Sequence, residues 1–150
     1  MSEHHAAVVW RRASADFTYD SYNRGHEWRF KGGVTVPATA AVAYRGDADR
    51  VDPEEAYVAS LSSCHMLTFL AIAARKRLGV DSYEDNAVGY LEKNAKGKLA
   101  ITRVMLRPRV RFVPGVAVSR ADLDAMHHAS HAECFIANSV TTEIHVEPQF

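Results

Sequence analysis

The chain lacks a net charge of either sign: 18 Lys and Arg stand against 18 Asp and Glu in 150 residues. Without a global positive field to hold a polyphosphate, a general nucleic-acid binder is not expected. Long apolar runs are lacking too. The strongest, Met66 to Ala74, is interrupted by Thr68 and closed by Arg75-Lys76-Arg77. That falls well short of the roughly 20 residues of a spanning helix, so no membrane segment is expected. The start, Met1-Ser2-Glu3-His4-His5, has neither the basic nor the apolar region of a secretory signal, which predicts a cytoplasmic address. Cysteine is scarce: only Cys64 and Cys134 occur, far apart and without a CxxC pair, so the zinc-ribbon and thioredoxin patterns are excluded. A chain of this length buries enough surface to fold as one domain, residues 1–150, without a disulfide or metal staple. In a reducing compartment the two cysteines are then buried thiols, redox-active groups or catalysts.

What is present reads as strands first. Ala7-Val8-Val9-Trp10 is a short apolar run, Phe17 to Tyr22 alternates, and His26 to Phe30 alternates ahead of the Gly32-Gly33 break. A helix start follows, with Asp52 as N-cap, Pro53 at the first helical position and Glu55 completing a capping box. Nothing breaks that helix before Leu78, and Gly79 follows a basic last turn, which predicts about 26 residues. Its middle is apolar on nearly every face, the pattern of a helix buried all round, so a second subunit is expected to cover part of it. Tyr83 to Glu92 and Leu99 to Phe112 read as long strands joined by a turn at Asn94 to Lys98. In the second of these, Arg103, Arg107, Arg109 and Arg111 share the wetter face, opposite Val104, Leu106, Val110 and Phe112. Ser119 caps a second helix, Asn138 is a plausible stop, and Thr141 to Val146 closes the domain as a strand. The predicted class is α+β with a largely antiparallel sheet.

Cys64 lies in Ser60-Leu61-Ser62-Ser63-Cys64-His65, a polar patch in an otherwise apolar helix. A buried thiol acting as a small hydrophobe is the plain reading, but the serines and His65 offer hydrogen bonds that such a thiol does not use. Glu54, ten residues earlier, sits about 15 Å away along a continuous helix. It serves the same site only if the helix breaks near Ser60 to Ser63 or if it comes from a partner subunit; otherwise it is a first-turn acid favoured by the helix dipole. His127, His131 and Cys134 share one helical face at metal-ligand spacing, but no fourth ligand is fixed and the spacing matches no standard zinc pattern. No metal and no cofactor are assigned.

The stretch Val51-Asp52-Pro53-Glu54-Glu55-Ala56-Tyr57-Val58-Ala59-Ser60-Leu61-Ser62-Ser63-Cys64-His65 resembles the N-P-E-x-x-x-x-A-x-x-x-C-type helix of the OsmC/Ohr family. These are the osmotically inducible and organic hydroperoxide resistance proteins. His131-Ala132-Glu133-Cys134-Phe135-Ile136-Ala137-Asn138-Ser139 resembles that family's second-cysteine segment. The resemblance implies an OsmC-like fold, with sheets wrapped around long central helices in an intertwined homodimer and active sites at the subunit interface. It implies a thiol peroxidase that reduces organic hydroperoxides and is reset by an external dithiol, of the lipoyl type or another small dithiol. By position, Cys64 resembles the peroxidatic cysteine, Cys134 the resolving cysteine, and Glu54 the carboxylate that orients a catalytic arginine. Arg24 occupies the matching N-terminal loop, with Arg29 as the alternative. Phe135-Ile136 after the second cysteine, and His65 after the first, point to an OsmC-like subgroup. Against this stands a non-catalytic member of the fold that binds a small ligand or zinc through its Cys/His cluster.

The chemistry has its own logic. A thiolate, not a thiol, attacks a peroxide, and an ordinary cysteine is only a few per cent ionised at neutral pH. A guanidinium favours the thiolate and the departing alkoxide, a carboxylate fixes the guanidinium by a bidentate pair, and a second thiol captures the sulfenic acid before it over-oxidises. Met66, Leu67 and Phe69, with Phe17, Tyr19 and Tyr22, are expected either to line an apolar substrate pocket or to pack in the core.

Overall fold

A computed structural model describes residues 1–150, which form two compact units, 1–56 and 57–150. The N-terminal unit is a three-stranded antiparallel sheet of β1 (Ala7–Val9), β2 (His26–Arg29) and β3 (Thr35–Ala38), in that order. The alternating segment Phe17 to Tyr22 is a turn, not a strand. Ser21 Oγ accepts from the Thr18 amide and donates to the Asp16 carbonyl, and the Tyr22 amide donates to the Thr18 carbonyl. These local polar bonds compete with a sheet ladder, and here they win.

Helix α1 (Pro53–Arg75) starts as its sequence predicts: the Glu55 amide donates to Asp52 Oδ1 at 2.8 Å, and the Asp52 amide donates to Glu55 Oε2 at 3.1 Å. It ends three residues early. Arg77 takes the left-handed conformation at φ 59°, its amide bonds the Ala74 carbonyl and the Leu78 amide bonds the Ala73 carbonyl. That is a Schellman stop on a residue other than glycine. Gly79 serves packing instead, since a Cβ there would lie 2.8 Å from Val113 Cγ2.

In the C-terminal unit, α1 is followed by β4 (Val80–Asp85), β5 (Val88–Lys93), β6 (Leu99–Leu106), β7 (Pro108–Phe112), α2 (Arg120–Glu133) and β8 (Glu143–Val146). Each long predicted strand is thus two strands in different sheets. The ladder β4–β7 is antiparallel, and β5–β6–β8 combines an antiparallel pair with the parallel pair β6–β8. The predicted parity holds: Val104 and Leu106 are buried, Val110 and Phe112 pack on the core, and Arg109 and Arg111 are exposed. The class is α+β with mostly antiparallel pairing. Ser119 caps α2 by accepting from the Asp122 amide, and the helix ends with Cys134 as C-cap, ahead of a single turn at Ala137–Ser139.

Helix α1 buries one stripe, Leu61, His65, Phe69 and Ala73, spaced four apart. Leu61 packs with Val104 and Leu106, while Phe69 and Ala73 pack with Leu123 and Met126. The rest of the helix is not covered all round; Leu67, for example, is 60% exposed. By length and composition α1 is long and apolar enough to cross a bilayer, which an inspection of uninterrupted runs misses. In this fold its buried stripe makes it the core helix of the unit.

Gly89 on β5 brings the sheet close to this helix. A Cβ there would lie 2.5 Å from Val58 Cγ2, so Gly89→Ala forces α1 outward. The expected cost is about 1–3 kcal/mol, read as a lowered urea midpoint with unchanged slope; a midpoint equal to the parent's would show that helix and sheet separate freely.

Candidate active site

Cys64 lies midway along α1 and Cys134 caps the end of α2, and the fold brings the two together as free thiols. Cys134 is 1% exposed and Cys64 is half-buried. Burial, reinforced by a hydrogen bond to Cys64, pushes the Cys134 thiol up to about 11, whereas the amides of Ala137 and Ile136 pull the other way. The Ala137 amide donates to Cys134 Sγ at 3.4 Å. At neutral pH the proton therefore stays on Cys134, and Cys64 is the more accessible sulfur.

Cys64 opens into a cavity of about 710 Å³ lined by Ser60, Ser63, Leu67, Thr68, Ile72 and Phe135, together with the charged residues Arg75 and Glu133. Phe135 is 82% exposed beside it. Leu67 is thus a pocket residue, as one of the two sequence readings has it, whereas Phe69 is wholly buried and belongs to the core. Phe17 and Tyr22 instead cluster with Trp10 in the N-terminal unit. Two serines of the polar patch also bond to the scaffold. Ser62 Oγ donates to Asp85 Oδ2, whose other oxygen accepts from the Arg107 amide, and Ser60 Oγ donates to the Tyr57 carbonyl.

Glu54 stands on the first turn of α1, which continues unbroken to Arg75, so no break near Ser60 to Ser63 carries it toward the cysteine of its own helix. Its Oε2 is buried without a hydrogen-bond partner. Arg24, in the N-terminal unit, is 8% exposed. Its two terminal nitrogens donate to the carbonyls of Tyr22 and Tyr19, and its guanidinium lies 3.6 Å from the centre of the Tyr22 ring. Arg29 is exposed and paired with Glu27 at 2.8 Å.

The histidines separate by environment. His128 is exposed, while His127 turns inward, where its Nδ1 lies 3.0 Å from His65 Nε2. Burial above all lowers both rings to about 4, with repulsion from His127 and His131 adding at His65 and Asp124 opposing at His127. No three His, Cys, Asp or Glu side chains gather to hold a metal ion, so the face of His127, His131 and Cys134 is not assembled for zinc. Sequence reasoning missed the His65–His127 pair; its one signal was a histidine inside the four-residue spacing Leu61, Phe69, Ala73.

A mixed α+β unit with two helices that set a half-buried thiol beside a buried one defines a two-cysteine protein of the OsmC type. The OsmC-like protein family matches residues 46–149, and the chain belongs to that family. Among solved structures, an OsmC-like protein of unknown function from Vibrio cholerae is similar at 50% identity and TM-score 0.96, over 99% of this chain and 100% of that one. The organic hydroperoxide resistance protein OsmC from Legionella pneumophila shares the fold at 10% identity and TM-score 0.76, covering 100% of this chain and 98% of its own. The organic hydroperoxide resistance protein OhrB of Bacillus subtilis does so at 17% identity and TM-score 0.70, over 97% and 98%. No curated protein matches.

Proposed function

We propose that the protein is a thiol peroxidase reducing organic hydroperoxides to alcohols. The observation that carries this reading is the pairing of a half-buried Cys64, open to a mainly apolar cavity, with a buried Cys134 that retains its proton. The Cys64 thiolate attacks one peroxide oxygen, the O–O bond breaks, and the alkoxide leaves and takes a proton. Cys64 becomes a sulfenic acid. Cys134 then displaces its oxygen as water, forming the Cys64–Cys134 disulfide, and an external dithiol takes up the oxidation in a last exchange. Leu67 and Phe135 favour an alkyl or aryl peroxide over hydrogen peroxide, since they bury apolar substrate surface.

Arg24 and Glu54 support the same reading from a different direction. Arg24 is a buried cation satisfied only by carbonyls and ring faces, and Glu54 carries a buried oxygen with no donor. Each lacks a counter-charge, a costly condition that a bidentate ion pair removes. In a homodimer Glu54 of one subunit would orient an arginine at the other subunit's thiolate, where the guanidinium stabilises the departing alkoxide. The exposed apolar residues of α1 are the surface such a partner would cover.

Intact mass of the reduced protein before and after one equivalent of cumene hydroperoxide tests this. Loss of two hydrogens in the parent, oxygen addition in Cys134→Ser and no change in Cys64→Ser are expected. A parent that keeps its mass and both thiols overturns the peroxidase reading.

A further inference from the structure

His65 and His127 are both buried, at 1% and 2% exposure, and the peroxidase chemistry uses neither. Their rings are nearly parallel, 7° apart, with centroids separated by 5.3 Å and the facing nitrogens by 3.0 Å. The centroid distance is about the nitrogen–nitrogen gap plus two ring radii, so the rings lie edge to edge in one plane. This is an in-line N–H···N hydrogen bond rather than face stacking, with one ring the donor and the other the acceptor. Phe69 lies against the His127 ring at a centroid distance of 4.4 Å and holds it in that plane.

The position of this bond matters more than its strength. His65 follows Cys64 on α1, and His127 lies about two turns before Cys134 on α2. Apart from the contact between the two thiols themselves, it is the one side-chain hydrogen bond that joins the two cysteine-bearing helices; Phe69, Ala73, Leu123 and Met126 pack between them as apolar contacts. Apolar packing tolerates small slides and rotations, whereas a linear hydrogen bond does not. The pair also leaves His65 Nδ1 and His127 Nε2 buried without partners, a cost that a leucine pair would avoid. Its return is therefore in register rather than in stability.

We propose that the His65–His127 bond is a positioning device that fixes α1 against α2 so that Cys134 captures the Cys64 sulfenic acid. The inference rests on the peroxidase reading for its biological setting. In the capture step the Cys64 S–O bond breaks and an S–S bond forms; the oxygen leaves as water with the sulfenic hydrogen and the Cys134 proton. A second peroxide molecule competes by oxidising the sulfenic acid irreversibly to sulfinic acid. The capture step requires close and aligned sulfurs and is sensitive to displacements of about 1 Å, whereas the competing step is not. Partition between disulfide and sulfinic acid therefore reports the register.

The test compares the parent with the paired His65→Leu/His127→Leu variant, with His127→Asn, and with His127→Gln, all in the full chain. Asn retains a polar group near the position of Nδ1, while Gln displaces it by one methylene. With excess cumene hydroperoxide, the ratio of sulfinic acid to disulfide by mass spectrometry is expected to rise at least tenfold in the Leu pair and in His127→Gln. Initial sulfenic acid formation is expected to stay at the parent rate, and His127→Asn to recover most of the disulfide. Diamide, which joins two thiols without peroxide, supplies an independent readout: disulfide formation should slow in the same variants. Parent-like partition in the Leu pair, or in His127→Gln if the Leu pair fails to fold, overturns the inference, as does failure of Asn to rescue. If the parent ignores peroxide but the diamide ordering holds, the peroxidase reading fails while the positioning role stands; loss of the diamide ordering overturns that role as well.

Discussion

Acidification from pH 6.5 to 4 is expected to destabilise the fold by on the order of 3 kcal/mol for each of His65 and His127. Both rings are lowered to about 4 by burial, while in the unfolded chain they titrate near 6.5. Above pH 6.5 both states hold neutral rings and the contribution is constant. As the pH falls through the window, the unfolded chain takes up protons that the fold refuses, so stability drops, and below about 4 the two states again titrate together. When both rings are protonated, the N–H···N bond also gives way to two facing donors. Against a total stability of about 5–15 kcal/mol, this loss is large. Urea midpoints of the parent at pH 7, 6 and 5, set beside those of the His65→Leu/His127→Leu variant, isolate the effect from carboxylate titration. A parent whose midpoint falls no faster than the variant's between pH 6.5 and 5 would show that the rings are not held neutral.

Phe69→Ala is expected to cost about 3–5 kcal/mol, the range for truncating a fully buried aromatic ring. Phe69 is wholly buried, packs with Ala73, Leu123 and Met126, and lies with its ring on His127 and near Tyr83. At about 2–4 °C per kcal/mol for a chain of this size, the melting temperature should fall by roughly 10 °C. Because Phe69 and His127 touch, the loss should not add to that of His127→Asn. A double-mutant cycle measured by thermal melts should give a coupling of about 0.5–3 kcal/mol, and strict additivity would separate the ring from the histidine pair.

How far the fold can be read in advance depends on how local its causes are. The Asp52–Glu55 box and the Ser119 cap involve residues three apart, and both form as their sequences require. The parity of Val104, Leu106, Val110 and Phe112 was legible because a strand alternates faces whatever it pairs with. The division at Arg107 was not, since only distant strands show that β6 joins β5 and β8 while β7 joins β4. The stop at Arg77 defied expectation because a basic residue adopts the conformation usually left to glycine once Leu78 packs into the core. At the candidate site, each cysteine could be found from its motif. The meeting of His65 with His127 depends on residues 62 positions apart, and local patterning shows only that His65 falls on the buried stripe of α1, not what it meets there.

The amide that touches Cys134 ties the end of a helix to the proton on its sulfur. Ala137 N–H donates to Sγ, and such a donor holds a thiolate more strongly than a protonated thiol. Because burial keeps the Cys134 proton in place up to about pH 11, the turn at Ala137–Ser139 rests on a weak anchor at neutral pH and tightens only as that proton leaves. The segment after α2 is thereby a clasp whose grip follows the charge on a buried sulfur.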